Sequence, residues 1–446
     1  MSKPNILYLH SHDTGRQIQP YGYKVPTPNL QRLAEEGVTF RQCYCANPTC
    51  SPSRAALLTG QWAHSSGMLG LAHLGFSLND YSQHLLHTLR KVGYFCALSG
   101  IQHIDGPTED TTRYGSRIGY DEILDKEDMR SMWDHSTAEQ RALEFLHNPP
   151  EQPFFLSVGF HETHREFPHP TLAEDPRYCT PPPGIPDTPE TRQDWAGYCA
   201  SAREMDRKIG TILQALEDSD IADNTIVICT TDHGVAFPGM KCNLTDAGIG
   251  VFLIVRGPQP LRGGKVIDGL VSQVDIFPTI CELLAVEPPP WLQGTSLMPL
   301  LEGKQAEIRK DIFAEVNYHS AYEPQRCIRT KRWKYIRRIT QRQNPIMPNC
   351  DNGPTKSLML EHGWQERTIP MEQLYDLLFD PCESSNLVDS KEHAEVVSEL
   401  RSRLDQWMRE TDDPALKGFV EAPQGAVMRH PDGTPPEGRL IPAEPA

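Results

Sequence analysis

No stretch of the chain approaches the about 18 consecutive apolar residues that a membrane-spanning helix requires. The opening MSKPNILYLH lacks a basic leader, a long apolar run and a small-residue cleavage site, and passes directly into a strand-like segment. From these absences we expect no membrane partner and a cytoplasmic location. Basic residues are also short: 43 Lys and Arg against 59 Asp and Glu give a formal charge of -16. Such a chain has no general basic face for nucleic acid or an anionic bilayer, so an anionic substrate needs a local cationic pocket. The twelve cysteines lack metal-ligand spacing. Cys43 and Cys45 in RQCYC have no second pair to complete a zinc site, and Cys96 and Cys229 sit in apolar runs as buried hydrophobes.

What is present is alternation. NILYLH, VTFRQCYC, YFCALSG, PFFLSVGF, TIVICTTDHG and GVFLIVRG read as strands, separated by helical segments. Thr27, Pro28 and Gly37 mark the start and stop of one helix, Ser136 is the expected cap of another, and a long helix is expected over 191–219. Continuous apolar strands between helices predict an α/β fold with a large, mainly parallel sheet sandwiched by helices. From about Lys310 the pattern changes to DIFAEVNY, RCIRTKRWKYIRRI and an amphipathic helix over EHAEVVSELRSRLDQWMRETDD. This predicts a catalytic α/β domain over 1–309, a smaller α+β part with an antiparallel sheet over 310–413, and a Pro-rich extended tail over 414–446. The tail has apolar anchors at Phe419, Val420, Val427, Leu440 and Ile441 and is expected to pack on a neighbouring surface, with a homodimer or higher homo-oligomer as one source of it.

Unusual polar residues fall at strand ends: HSHD, SGIQH, GFHETH and TTDHG. A parallel sheet binds ligands beyond its carboxyl edge, so these clusters should converge. Asp13, Asp232 and His233, with His12, form a candidate divalent-metal set. Each alone reads as a strand-end loop residue; the four clusters together favour a site. HETH has one residue too few between Glu162 and His164 for a zinc protease helix. Cys50 opens a helical segment with Arg54 one turn on, a position where unpaired N–H groups and the helix dipole favour anions and should lower a thiol's pKa.

The run CSPSRAALLTG resembles the type I sulfatase signature, and the likeness continues through PNILYLHSHD, TTDHG and QLYDLLFDPCESSNL. Within that family of the alkaline phosphatase superfamily, GFHETHR, DHGVAFPGMKCNL and WMRETDDP look closest to the heparan N-sulfatase (sulfamidase) branch. The resemblance implies that Cys50 is converted by a maturation enzyme to formylglycine, whose hydrate attacks sulfur and later expels sulfate. It implies one divalent ion held by His12, Asp13, Asp232, His233 and residue 50, calcium by family habit. Arg54 would hold the hydrate, and Lys241, His103 and His161 would contact the sulfuryl oxygens or protonate the leaving group, with His164 beside them. The chain departs from the pattern at His12 and His233, which suit manganese or zinc, and at Ile101, where the family has a lysine.

The implied reaction is hydrolysis of a sulfate ester or N-sulfate of a small sugar. Phosphodiester or phosphonate hydrolysis on the same scaffold, and a metal-binding pseudoenzyme that recognises acidic glycans, stay open. Asn317, His319 and Arg326 in NYHSAYEPQR are expected either to reach over the pocket to the sugar or to be loop residues at a strand end.

Overall fold

The computed structural model describes residues 3–106, 114–128 and 135–443. Its main sheet contains β1 (Asn5–Ser11), β2 (Val38–Tyr44), β3 (Phe95–Gly100), β4 (Glu122–Ile123), β5 (Phe154–Gly159), β6 (Thr225–Thr231), β7 (Leu253–Arg256) and β8 (Lys265–Ser272). The spatial order is β4-β3-β5-β1-β6-β7-β2-β8. All pairings are parallel except those of β7, which runs antiparallel to β6 and β2. The α/β expectation is met.

Alternation along β1 divides the core in two. Ile6 and Tyr8 join the layer that contains Leu57, Leu58, Ile226 and Ile228. Leu7 and Leu9 join the opposite layer with Leu30, Leu33, Met205, Ile209 and Val227. Because both faces are covered, β1, β5 and β6 are buried throughout, which is why each reads as an uninterrupted apolar run.

The long helix runs over Pro189–Glu217, with Pro189 in its first turn and Thr188 accepting from Thr191 N. Helix Pro28–Glu36 has the expected Thr27 and Gly37 ends. Helix Ala138–His147 begins one position later than expected, with Thr137 rather than Ser136 at the cap.

A second, antiparallel sheet has the order β12-β11-β10-β9. Its strands are β9 (Ile312–Tyr318), β10 (Tyr322–Arg329), β11 (Trp333–Arg338) and β12 (Glu372–Asp376). Helix Ala394–Glu410 buries Val397, Leu400, Leu404, Trp407 and Met408 in a core cluster shared with this sheet and with one face of the main sheet. The tail adds β13 (Val427–Arg429) and β14 (Leu440–Pro442), and buries Val420, Ala426 and Met428 in the same core. Part of the surface it packs on is its own chain: Val420 is buried and Val427 and Ile441 partly so, whereas Phe419 and Leu440 of the expected anchors stay exposed.

Candidate active site

The carboxyl ends of β1, β3, β5 and β6 bring the four polar clusters together. Two glycines permit the approach: a Cβ on Gly159 would lie 2.0 Å from Ile101 O, and one on Gly100, at φ +88°, would lie 2.2 Å from Gly159 O. The loops after β1 and β5 are then tied directly. His12 N donates to Glu162 O at 2.9 Å, and Thr163 N donates to His12 O at 2.6 Å.

Asp13 adopts a left-handed backbone (φ 55°) that turns its carboxylate into the cluster. Its Oδ2 accepts from Lys241 Nζ at 2.8 Å and its Oδ1 from His12 Nδ1 at 2.7 Å. Asp232 Oδ1 accepts from Asp13 N at 2.8 Å and from His233 N at 2.9 Å, while its Oδ2 accepts from Arg54 Nη2 at 3.0 Å. Burial opposes ionisation of both carboxyls, but Lys241 and His12 around Asp13, and His233, His12 and Arg54 around Asp232, hold them well below the usual carboxylate range. For Lys241, Asp13 and Asp351 outweigh burial and hold the ammonium well above the usual lysine value.

Cys50 is the first residue of helix Cys50–Thr59, after an extended Thr49. It is 2% exposed, and its Sγ lies 3.4 Å from His233 Nε2. The expected lowering of its pKa is overturned: burial pushes the thiol well above its usual value, Asp13 and Asp232 add to this, and Lys241 and Arg54 offset only part. The helix end is enclosed, so desolvation outweighs its dipole. Arg54 donates to Ser11 O and Asp232 and contacts His10, so here it braces β1 and a carboxylate.

The histidines line one side. His12 is buried, and its pKa is pushed down to about 3 by burial against the pull of Asp232 and Asp13. Its Nε2 faces His103 Nδ1 at 3.4 Å. His103 (φ 60°) stacks at 5.7 Å on His73, a residue that sequence reasoning missed. The His164 ring meets His12 edge-on at 4.7 Å, and the His161 ring lies 5.2 Å from that of His164, open to solvent. Asp351 was also missed. It lies on the loop before helix Pro354–Glu361, with Oδ2 3.1 Å from Lys241 Nζ.

Of the C-terminal candidates, His319 is at the site: burial, and next the charge on Lys241, hold its pKa well below the usual histidine value. Arg326 is not. It is fully buried, with Nη2 donating to Asp413 Oδ1 at 2.7 Å and lying 3.4 Å from Glu315. An arginine on a strand buried along its whole length needs paired carboxylates, and these hold it inside the fold. Asn317 likewise turns inward to Glu315.

A divalent ion fits this donor set. Ligand atoms of His12, Asp13, Cys50 and Asp232 lie within 4.8 Å of one another. His233 Nδ1 donates to Gly234 O at 3.0 Å, which leaves Nε2 directed at Asp13 Oδ1 (3.3 Å) and Asp232 Oδ2 (3.8 Å). Several acceptor atoms converging on one buried point make a cation site.

Comparison with known proteins agrees with this geometry. The sulfatase family matches residues 4–286, and the C-terminal part of N-sulphoglucosamine sulphohydrolase matches residues 241–362. Human N-sulphoglucosamine sulphohydrolase is 28% identical, over 95% of this chain and 92% of that protein. An ulvan-active sulfatase of Formosa agariphila is 27% identical, over 93% of this chain and 76% of its own length. The multifunctional alkaline phosphatase superfamily protein PehA of Trinickia caryophylli is 23% identical, over 91% and 93%. The fold also matches BT4656, solved with its substrate D-glucosamine-2-N,6-O-disulfate, with a TM-score of 0.72 and 21% identity over 93% of this chain and 99% of that one. The strand-end cluster, the Cys50 helix and the matched residues 4–286 lead to one conclusion: this chain belongs to the sulfatase family of hydrolases.

Proposed function

We propose that the protein hydrolyses a sulfate ester or sulfamate on a small sugar, using formylglycine generated from Cys50 and one divalent ion. The reading is carried by the placement of Cys50 Sγ against His233 Nε2, inside a ring of Asp13, Asp232 and Lys241. When modified, residue 50 supplies a hydrated aldehyde as nucleophile; the ion, calcium, manganese or zinc, supplies positive charge beside it.

The chain's own groups supply the rest. Asp13, Asp232 and His233, with His12, are placed to hold the ion. Arg54 keeps Asp232 in register and lies one turn from residue 50, where it can also orient the hydrate. Lys241 is the cation for the sulfuryl oxygens. His103 and His161, with His164, stand where the leaving group departs. Burial holds His103 well below the usual histidine value and His161 down at about 4, so each acts as the acid only when the negative charge of a bound sulfuryl group favours its protonated form and lets it donate a proton to a leaving oxygen or nitrogen. The relatives named N-sulphoglucosamine sulphohydrolase and ulvan-active sulfatase support a sugar substrate. The net charge of -16 favours a single sugar end over a long polyanion. Besides the sugar, the partner this reading requires is a formylglycine-generating enzyme.

His233, where the family often has asparagine, favours a second reading, phosphodiester or phosphonate hydrolysis, and PehA supports it. Rates on N-sulfoglucosamine, a sugar O-sulfate, an aryl sulfate and an aryl phosphate diester decide between them. The sulfatase reading expects the highest kcat/KM on a sulfated sugar; a phosphate diester ahead by orders of magnitude replaces it.

A further inference from the structure

On the C-terminal side of the site the protein leaves two buried polar atoms unmatched. Among the described residues, neither Asp351 Oδ2 nor His319 Nδ1 has a hydrogen-bond partner. Asp351 Oδ2 is 3.1 Å from Lys241 Nζ, close enough to pair in charge but not aligned as a hydrogen bond. The cost of an unmatched buried polar atom, about 1–3 kcal/mol, falls on His319 Nδ1, while Asp351 Oδ2 has the charge of Lys241 but no aligned donor, so the two atoms beside the reaction centre point to a ligand that completes them.

The two are held rigidly. Asn349 accepts from Ala321 N at 2.8 Å and donates to Ala321 O at 3.3 Å and Glu323 Oε2 at 2.9 Å, locking the Asp351 loop to the turn that carries His319. The Lys356 ammonium donates to Met347 O (3.0 Å), Cys350 O (2.6 Å), Asn352 Oδ1 (3.1 Å) and, in the tail, Thr434 O (2.8 Å). A loop fixed by so many bonds presents its carboxylate at one position before any ligand arrives, which is how a binding subsite is preorganised.

We propose that Asp351 and His319 form a leaving-group subsite that binds a hydroxyl flanking the sulfated position of a sugar ring. The proposal rests on the sulfatase reading above. Lys241 lies between the carboxylates of Asp13 and Asp351, so a sulfuryl group at Lys241 places its sugar carbon next to Asp351. A carboxylate there accepts from a neutral hydroxyl and repels a second sulfate or a uronate. Sites built around a substrate hydroxyl discriminate strongly against the analogue that lacks it.

The test is a substrate-by-mutant cycle. The kcat/KM of wild type, Asp351→Ala and His319→Ala is measured on N-sulfoglucosamine, its 1-deoxy and 3-deoxy analogues, and an aryl sulfate. The expected result is a wild-type preference of at least tenfold for the parent sugar over one deoxy analogue, reduced to about onefold in Asp351→Ala. His319→Ala, which reduces the same ratio, keeps the test decisive if Asp351→Ala does not fold. A ratio unchanged in both variants while all rates fall together overturns the subsite and assigns Asp351 to Lys241 alone. A wild type that cleaves the aryl sulfate but no sugar overturns the subsite and leaves the sulfatase reading standing. A wild type that cleaves none of the four overturns both.

Discussion

His233 Nε2 stands 3.4 Å from Cys50 Sγ, although the two residues are separated by 183 positions in sequence. The contact joins a helix start to the loop after β6 and places Cys50 at the edge of the carboxylate pair. A buried thiol held in its neutral form is a poor thiolate nucleophile. The proposed reaction accordingly assigns the nucleophile to a modified residue 50 and not to its thiolate.

Cys50→Ala and Cys50→Ser are expected to lower turnover by at least about a thousandfold, in line with the loss of a nucleophile. Mass spectrometry of the Cys50 peptide, from a host with the maturation enzyme, should show the aldehyde in the active protein. Full activity with an unmodified thiol contradicts this.

Asp13→Asn and Asp232→Asn are each expected to abolish binding of one divalent ion per chain, read by elemental analysis. The ligands come from β1 and β6, so the ion stabilises the fold it joins, by about 2.7 kcal/mol at a hundredfold excess over its Kd. A chelator should lower Tm by a few degrees in wild type and hardly at all in either variant. Equal shifts in all three proteins would remove the assigned ligands.

How much of this was legible in the sequence depends on the range of each interaction. The strands announced themselves because both sheet faces are covered and the apolar runs are unbroken, and the site followed from where their polar ends fall. Asp351 gave no signal: a single aspartate in a loop becomes part of the site only when the second sheet docks. Arg326 misled because its carboxylate partners come together only in the fold: Glu315 becomes its cross-strand neighbour when β9 pairs with β10, and Asp413 is 87 positions away. The Cys50 error has the same origin, since a local helix-end argument carries no information about enclosure.

Arg326→Met is expected to cost about 3–5 kcal/mol, because it leaves the buried Asp413 and Glu315 carboxylates without their cation. Denaturant titration reads the loss. The KM of the protein that remains folded should stay within error of wild type, and a several-fold rise in KM at unchanged stability would return Arg326 to the substrate pocket.

His84 gives the fold a pH dependence away from the metal site. Its ring caps helix Leu85–Lys91 by accepting from Leu86 N at 3.2 Å, and burial pushes its pKa down to about 3. An unfolded histidine titrates near 6.5, so between pH 6.5 and about 3 the unfolded chain binds a proton that the folded chain does not. The stabilisation is complete above pH 6.5 and is lost as pH falls, by up to about 1.4 kcal/mol per unit. Asn retains the cap without the titration. In His84→Asn the loss between pH 7 and 5.5 should be smaller than in wild type by about 1 kcal/mol; parallel curves would refute the assignment.

The tail supplies the last test. Tyr318 Oη donates to Val420 O at 2.7 Å, Tyr322 Oη accepts from Val420 N at 2.9 Å, and Ala426 closes over Gly75. These anchors bury apolar surface within one chain, and the Lys356 bond to Thr434 O links the tail to the loop that carries Asp351. Truncation after Gly418 should therefore lower Tm by several degrees, uncover the Tyr318 and Tyr322 rings, and weaken sugar turnover more than aryl sulfate turnover, because the Asp351 loop loses one of its ties. The number of chains per particle in solution should be the same with and without the tail. A truncated chain of halved mass and unchanged monomer stability would instead mean that the tail's principal surface is a second subunit.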